Sequence, residues 1–317
     1  MWVERQMPAQ IAQDGSLAVH AKLFNEILGS LPEGDVHIEQ PNGTSLRLSL
    51  QASEYRVVGM TPEDFPEIPS VSVNAKLRMK ASDFVKMVES VDFAVARESH
   101  GRAYLTGVLF KYDGENLQVV ATDTHRLAVR SESFPGLGQP VQAIVPERAI
   151  SVIRRLPIAP DGELELTFGD NRLMVEADGA RIVTQLLGGD YVPYERVIPT
   201  SHTRSWLMDK DTFAACLRRA GVLAKESAMR VVLSAKGGIV TISTRSEGVG
   251  EGKDEMEIVQ EGDDLEVAFN GGFLLQALSP IESEGVLLQL TENDRPAVIR
   301  PSEPNSGYLC VVMPMAL

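Results

Sequence analysis

The chain has 317 residues and a mass of 34.6 kDa, which accommodates two or three domains. Its composition, 44% hydrophobic and 23% charged, excludes a disordered polymer. A net charge of −14 argues against a nucleic-acid partner unless charge is segregated by face. The elements then follow in chain order. From Val19 the residues predict a short helix, a Pro32-Glu33-Gly34 turn, three alternating strands and a Pro-containing exit. From Leu77 they predict a strand, a helix capped by Ser82, and hairpin strands around Asp113-Gly114. The helix and three strands return from Val145. The strand, helix and hairpin return from Trp206, with Asp209 or Asp211 as cap and Gly237-Gly238 as turn. The helix and three strands come a third time from Val267.

Internal repetition decides the architecture. A three-strand unit occurs three times and a hairpin unit twice, in strict alternation. Pairing each hairpin unit with the three-strand unit after it yields two complete domains, 71–199 and 200–317. A truncated first domain, 1–70, precedes them. A first hairpin unit is therefore expected to be missing: Met1 is a misassigned start, the chain is a fragment, or the protein is truly short. The fold class is α+β, with repeated domains, helices on one face and antiparallel sheets on the other. Linkers are expected at Ser70–Ala75 and Pro199–Arg204.

No apolar run reaches the ~20 residues of a membrane span, and Met1–Ser16 has no signal-peptide core. A cytoplasmic protein without a membrane partner is expected. Cys216 and Cys310 cannot make a disulfide framework, and the histidines show no metal-ligand spacing, so no metal or cofactor is expected. Asp123 and His125 could form an acid–base pair, but no nucleophile or third ligand accompanies them. The run Gly248-x-Gly250-x-Gly252-Lys253 has Glu247 where a phosphate loop needs Gly and Asp254 where it needs Ser or Thr. It reads as an acidic hairpin loop.

Basic residues gather on the predicted helices: Lys22; Lys80 and Lys86; Arg148, Arg154 and Arg155; Lys210, Arg218 and Arg219. Acidic runs occupy 63–67, 247–257 and 261–266. A helical face of this kind can follow a phosphate backbone without reading bases. The third three-strand helix, Asn270–Leu278, carries no basic residue.

Three stretches carry a family resemblance: Ala121-Thr122-Asp123-Thr124-His125-Arg126-Leu127-Ala128-Val129, Asp64-Phe65-Pro66-Glu67-Ile68-Pro69, and Val311-Val312-Met313-Pro314-Met315-Ala316-Leu317. With the repeat plan, they make the chain resemble the bacterial sliding clamps, the β subunits of DNA polymerase III, over essentially its whole length. The resemblance implies a non-catalytic processivity factor. Two subunits would close a ring around double-stranded DNA, opened by an ATP-driven clamp loader. It also implies a pocket for short peptides of the DNA polymerase III α subunit and other replication and repair proteins. The alternative is a truncated clamp-like module that binds such peptides without closing a ring.

Matched position by position, the resemblance assigns the pocket to Leu105, Thr122, Thr124, His125, Arg126, Leu127, Val192, Arg196, Val197, Asn270, Phe273, Val311, Val312, Met313, Pro314 and Met315. Family members often have Gly at the place of Thr124, Pro at that of Val192 and Arg at that of Ala316. Asp294 and Ala228 stand where apolar residues are frequent. It adds Arg102 and Tyr104, in the loop Arg97–Tyr104, to the DNA-facing residues. It assigns the subunit interface to the edge strand holding Tyr55, Arg56, Val57 and Gly59, and to Val222, Leu223, Glu255 and Glu257. Arg56 is expected to face Glu255 or Glu257 of a second subunit.

Overall fold

The computed structural model describes residues 1–98, 101–135 and 138–317. It contains two compact units, Gln6–Ser70 and a larger one formed by Met1–Arg5 with Val71–Leu317. The chain opens with strand β1 (Trp2–Arg5), which belongs to the larger unit.

The smaller unit holds β2 (Ala18–Val19), α1 (Ala21–Ser30), β3 (His37–Asn42), β4 (Ser45–Leu50) and β5 (Ser53–Met60). Its sheet runs β2-β5-β4-β3, all antiparallel. Leu48, Leu50 and Val57 are its buried apolar residues, and α1 buries none.

The larger unit continues with β6 (Ala75–Lys80), α2 (Ala81–Glu89), β7 (Gly107–Tyr112), β8 (Asn116–Thr122) and β9 (Arg126–Ser133). Next come β10 (Val141–Pro146), α3 (Glu147–Ile153), β11 (Glu163–Phe168), β12 (Arg172–Ala177) and β13 (Ala180–Gln185). The second hairpin unit is β14 (Arg204–Asp209), α4 (Lys210–Ala224), β15 (Arg230–Lys236), β16 (Ile239–Ser246) and β17 (Gly250–Glu257). The last residues form β18 (Val259–Glu261), β19 (Leu265–Asn270), α5 (Gly271–Leu278), β20 (Gly285–Leu290), β21 (Ala297–Pro301) and β22 (Tyr308–Val312).

The repeats read from the sequence have a common register. After each third strand the chain makes the same antiparallel contact with the segment before its helix: Ala18 with Met60, Ile144 with Leu187, Ala268 with Met315. Period-two alternation then sorts the sheets. In the nine-stranded sheet, β10-β7-β8-β9-β22-β21-β20-β14-β18, one face packs Val108, Phe110, Val119 and Ala128 into the core that also buries the helices. Phe110 stacks on Phe84 of α2 with ring centroids 6.1 Å apart. The other face carries Leu109, Val120, Leu127, Val129, Ile144, Val298 and Val311 in a second cluster.

Local chemistry sets the ends of elements. Asp209 caps α4, its carboxylate accepting from the Thr212 N–H at 2.8 Å, and these hydrogen bonds hold its carboxyl below the usual range. Gly237 and Gly238, at φ +61° and +82°, make the two-residue turn between β15 and β16. Ser82 is not a cap: α2 starts one residue earlier, with Lys80 at the cap position and no capping side chain. The glycine run after Glu247 is a strand and not only a loop, because Gly250–Lys253 pair with β16. Burial pushes the Cys310 thiol up to about 12.

Candidate peptide site and basic surface

The nine-stranded sheet is continuous because β22 adds to β9, with Val311 opposite Leu127 and Val312 opposite Arg126. This joins the second hairpin-plus-meander repeat to the first. The ladder continues past the strand, where Met313 N–H donates to the His125 carbonyl at 2.9 Å. The site assigned from the sequence surrounds this joint.

The loop before β9 is a rigid turn. The Asp123 carboxylate accepts from the N–H groups of His125 and Arg126, each at 3.0 Å, and from the Arg126 guanidinium at 3.1 Å. Thr122 Oγ1 donates to the Arg126 carbonyl at 2.7 Å. Asp123 is thus a turn-forming residue with its acceptors occupied. Thr124 holds φ +77°, a conformation disfavoured for a β-branched residue. Thr124→Gly is therefore expected to stabilise the protein by about 1 kcal/mol, read as a higher urea midpoint. A lower midpoint would contradict the strain.

Arg126 lies at the centre of the joint and is 9% exposed. Its guanidinium bonds to Gln276 of α5 and to the Phe93 carbonyl, and sits 4.3 Å from the Phe273 ring centroid. His125, exposed, stacks on Phe273 at 6.5 Å. Asn270 caps α5, accepting from Phe273 N–H at 3.1 Å and donating to the Ala228 carbonyl. Met313 is 37% exposed, and Pro314 and Met315 are half-buried beside it.

The opposite face of the joint holds Leu127 and Val311, with Val192 and Tyr104 packed partly against them. Tyr191 and Tyr194 close this cluster and were not singled out from the sequence. Their rings pack edge to face at 6.4 Å, and Tyr191 meets Tyr104 at 6.2 Å. Arg196 and Val197 follow as exposed residues on the turn that begins at buried Tyr194. Leu105 is 3% exposed, so its side chain is core.

Several sequence assignments change. Val312 is fully buried on the helix side of the sheet, opposite to Val311, because adjacent strand residues face opposite ways. Arg126 ties the two repeats together and is not an open contact. Tyr104 packs with the tyrosines of the outer cluster, away from the basic helices. Val57 is core of the smaller unit at 2% exposure, whereas Tyr55, Arg56 and Val222 are exposed and Leu223 is half-buried. Glu255 pairs with Lys253 at 2.6 Å, and Glu257 is exposed.

The basic residues divide into two groups. Arg154 bonds Glu89 and Asp92, Arg219 bonds Asp254 at 2.8 Å, and Lys86 reaches Glu282 at 3.0 Å. Lys22 lies 3.8 Å from Glu26, and Lys210 donates to the Ile281 carbonyl. Burial raises the Asp92 carboxyl even against Arg154. Among the described residues, Lys80, Arg102, Arg148, Arg155 and Arg218 are exposed and make no ion pair. The loop assigned around Arg102 includes residues 99 and 100, which lie outside the described residues. Among the described residues no group of three or more His, Cys, Asp or Glu could hold a metal ion. Among them, too, no helix is long and apolar enough to cross a membrane.

A chain built this way is a repeat protein whose domains join by adding strand to strand, with an apolar cluster and an exposed Met-His group at the joint. Residues 78–193 match the family model for the DNA polymerase III beta subunit central domain, and 195–316 match the one for its C-terminal domain. The beta sliding clamp of Chlamydia pneumoniae is 29% identical over 315 residues, covering 98% of this chain and 83% of the relative. That of Synechococcus elongatus is 28% identical over 323 residues, covering 99% and 85%. A crystal structure of the DNA polymerase III subunit beta from Pseudomonas aeruginosa superposes with a TM-score of 0.90 at 27% identity, covering 99% of this chain and 87% of that one. The chain belongs to the DNA polymerase III beta subunit family, the bacterial sliding clamps.

Proposed function

We propose that this clamp acts as a two-subunit ring around duplex DNA and has no catalytic activity of its own. Domains at 1–70, 71–199 and 200–317 would form half of such a ring. Lys80, Arg102, Arg148, Arg155 and Arg218 are the first candidates for phosphate contact, since among the described residues no carboxylate engages them. Arg154, Arg219, Lys86, Lys22 and Lys210 are secondary candidates, because each would exchange an internal partner for phosphate.

The observation that carries the reading is the joint between β9 and β22. It presents His125, Phe273, Met313 and Met315 on one side and a Leu127–Val311 cluster on the other. Methionine is unbranched and polarizable, so such a surface adapts to several partner sequences. The polymerase α subunit and the clamp loader are the proposed partners there, with other proteins bearing similar peptides. A cytoplasmic location follows from that role. The test is primer extension on a primed circular template with polymerase and clamp loader. Product length is expected to rise at least tenfold when this protein is added, and unchanged products would overturn the reading.

A further inference from the structure

The second hairpin unit brings two guanidinium groups together beside the proposed peptide site. In the sheet β17-β16-β15-β19, Val232 of β15 stands opposite Ser243 of β16. Continued for two residues, that register sets Arg230 opposite Arg245, and Thr244 Oγ1 donates to the Arg230 carbonyl at 3.1 Å. Asn270 of β19 stands on the other side of Arg230, and Glu251 of β17 on the other side of Arg245. Val231 and Leu233 pack into the core, so strand alternation turns Arg230 to the face away from the helices. Both arginines line a cavity of about 710 Å³ whose remaining wall is the turn at 246–251.

Like charges directly opposite are destabilising unless something neutralises them. Among the described residues no carboxylate forms an ion pair with either guanidinium. Arg230 is half-buried, and its Nε donates to the Ala316 carbonyl at 3.0 Å, which leaves its two terminal nitrogens open to another acceptor. That bond ties it to the residue after Met315, whose own N–H donates to the Ala268 carbonyl at 2.8 Å. Asn270, its cross-strand neighbour, caps the helix that carries Phe273. The pair is therefore continuous with the surface formed by Phe273, Met313 and Met315. Arg245 is exposed and, among the described residues, makes no hydrogen bond.

We infer that Arg230 and Arg245 form an anion subsite that takes an acidic side chain of a partner peptide seated at the joint. The inference deepens the peptide-binding reading above and rests on it. A guanidinium presents its N–H groups in a fork that matches the two oxygens of a carboxylate. Two such forks side by side would hold one carboxylate and relieve the repulsion between them. The rim sets the limit on charge. Glu247 and Glu251 are exposed on the turn that walls the cavity, so a highly charged anion meets repulsion that a single carboxylate largely escapes. The face matters as well. Arg218, one of the free cations proposed for phosphate, lies on α4, on the opposite side of this sheet from Arg230 and Arg245. Both points favour an Asp or Glu of a peptide over the backbone of a nucleic acid. The subsite adds what the methionine surface lacks. Met313 and Met315 adapt to many apolar sequences, whereas a fixed pair of cations discriminates among partners by the charge that flanks their apolar segment.

The test is fluorescence anisotropy on the full chain with the labelled polymerase peptide in three forms, extended by two Ser, by two Asp at its N-terminal end, or by two Asp at its C-terminal end. One of the Asp forms is expected to bind about fivefold tighter than the Ser form, an advantage that shrinks as salt rises. The ratio of the two affinities is the readout, because a general loss of folding or of apolar contact weakens both forms alike. It should fall below about twofold in Arg245→Gln and in Arg230→Gln. In Arg245→Glu the preference should reverse, with a two-Lys extension at the same end binding tighter than the Asp form. A parent that binds every form alike overturns the subsite and leaves the peptide site standing. An Asp preference that survives both Gln variants also overturns the subsite. Weaker binding of a labelled DNA duplex by Arg245→Gln, with no Asp preference in the parent, assigns the pair to phosphate and overturns it too. A parent that binds no form of the peptide overturns both readings.

Discussion

Met313→Ala is expected to weaken binding of a labelled polymerase peptide by roughly 2- to 6-fold, with the mass in solution unchanged. Met313 extends β22 past the joint, and its backbone is fixed by the His125 carbonyl while its side chain remains 37% exposed. A peptide that covers it removes that exposed third of a thioether side chain from water, worth roughly 0.5–1 kcal/mol. His125→Ala should act in the same direction through the lost stack on Phe273, by a smaller factor. Fluorescence anisotropy measures both. Parent-like affinity in both variants would remove the peptide site from this joint.

Arg126→Ala is expected to cost about 3 kcal/mol of stability and to loosen the link between the two repeats of the larger unit. The guanidinium bridges the Asp123 turn, Gln276 and the Phe93 carbonyl, and it lies 5.3 Å from the Phe93 ring centroid as well as against Phe273. Its removal leaves a mostly buried carboxylate and the carbonyl of half-buried Phe93 without that partner, the expensive kind of loss. Two N–H donors still serve Asp123, which keeps the cost below that of a fully orphaned charge. Arg126→Lys should recover only part of it, since an ammonium cannot reproduce the planar fork. Denaturation with a first transition confined to the residues after 200 would be the signature. A single transition with parent stability would show that the sheet joint holds without the cation.

The architecture was legible in the sequence where the signal is local and periodic. The three helix-and-meander units, the Asp209 cap and the Gly237-Gly238 turn all follow from nearest-neighbour chemistry. The pairing of β9 with β22 was not, because the partners lie far apart in the chain and nothing local encodes their register. One error was avoidable. Val311 and Val312 are adjacent in a strand, so they cannot both line one pocket, and period two alone separates them. The tyrosines 191 and 194 flank a proline in an irregular segment, where periodicity offers no guide. Ion pairing of Arg154 and Arg219 depends on carboxylates brought in from other elements, so a basic helix in the sequence overstated the free charge.

A protein that holds DNA by encircling it, as proposed for this chain, is retained or released according to the topology of the DNA. The protein, loaded by a clamp loader onto a nicked circular duplex, is separated from free protein by gel filtration before and after the circle is cut once. Co-elution with the intact circle at moderate salt and release upon linearisation are expected. Retention on the linear DNA, or no retention on the circle, would contradict encirclement.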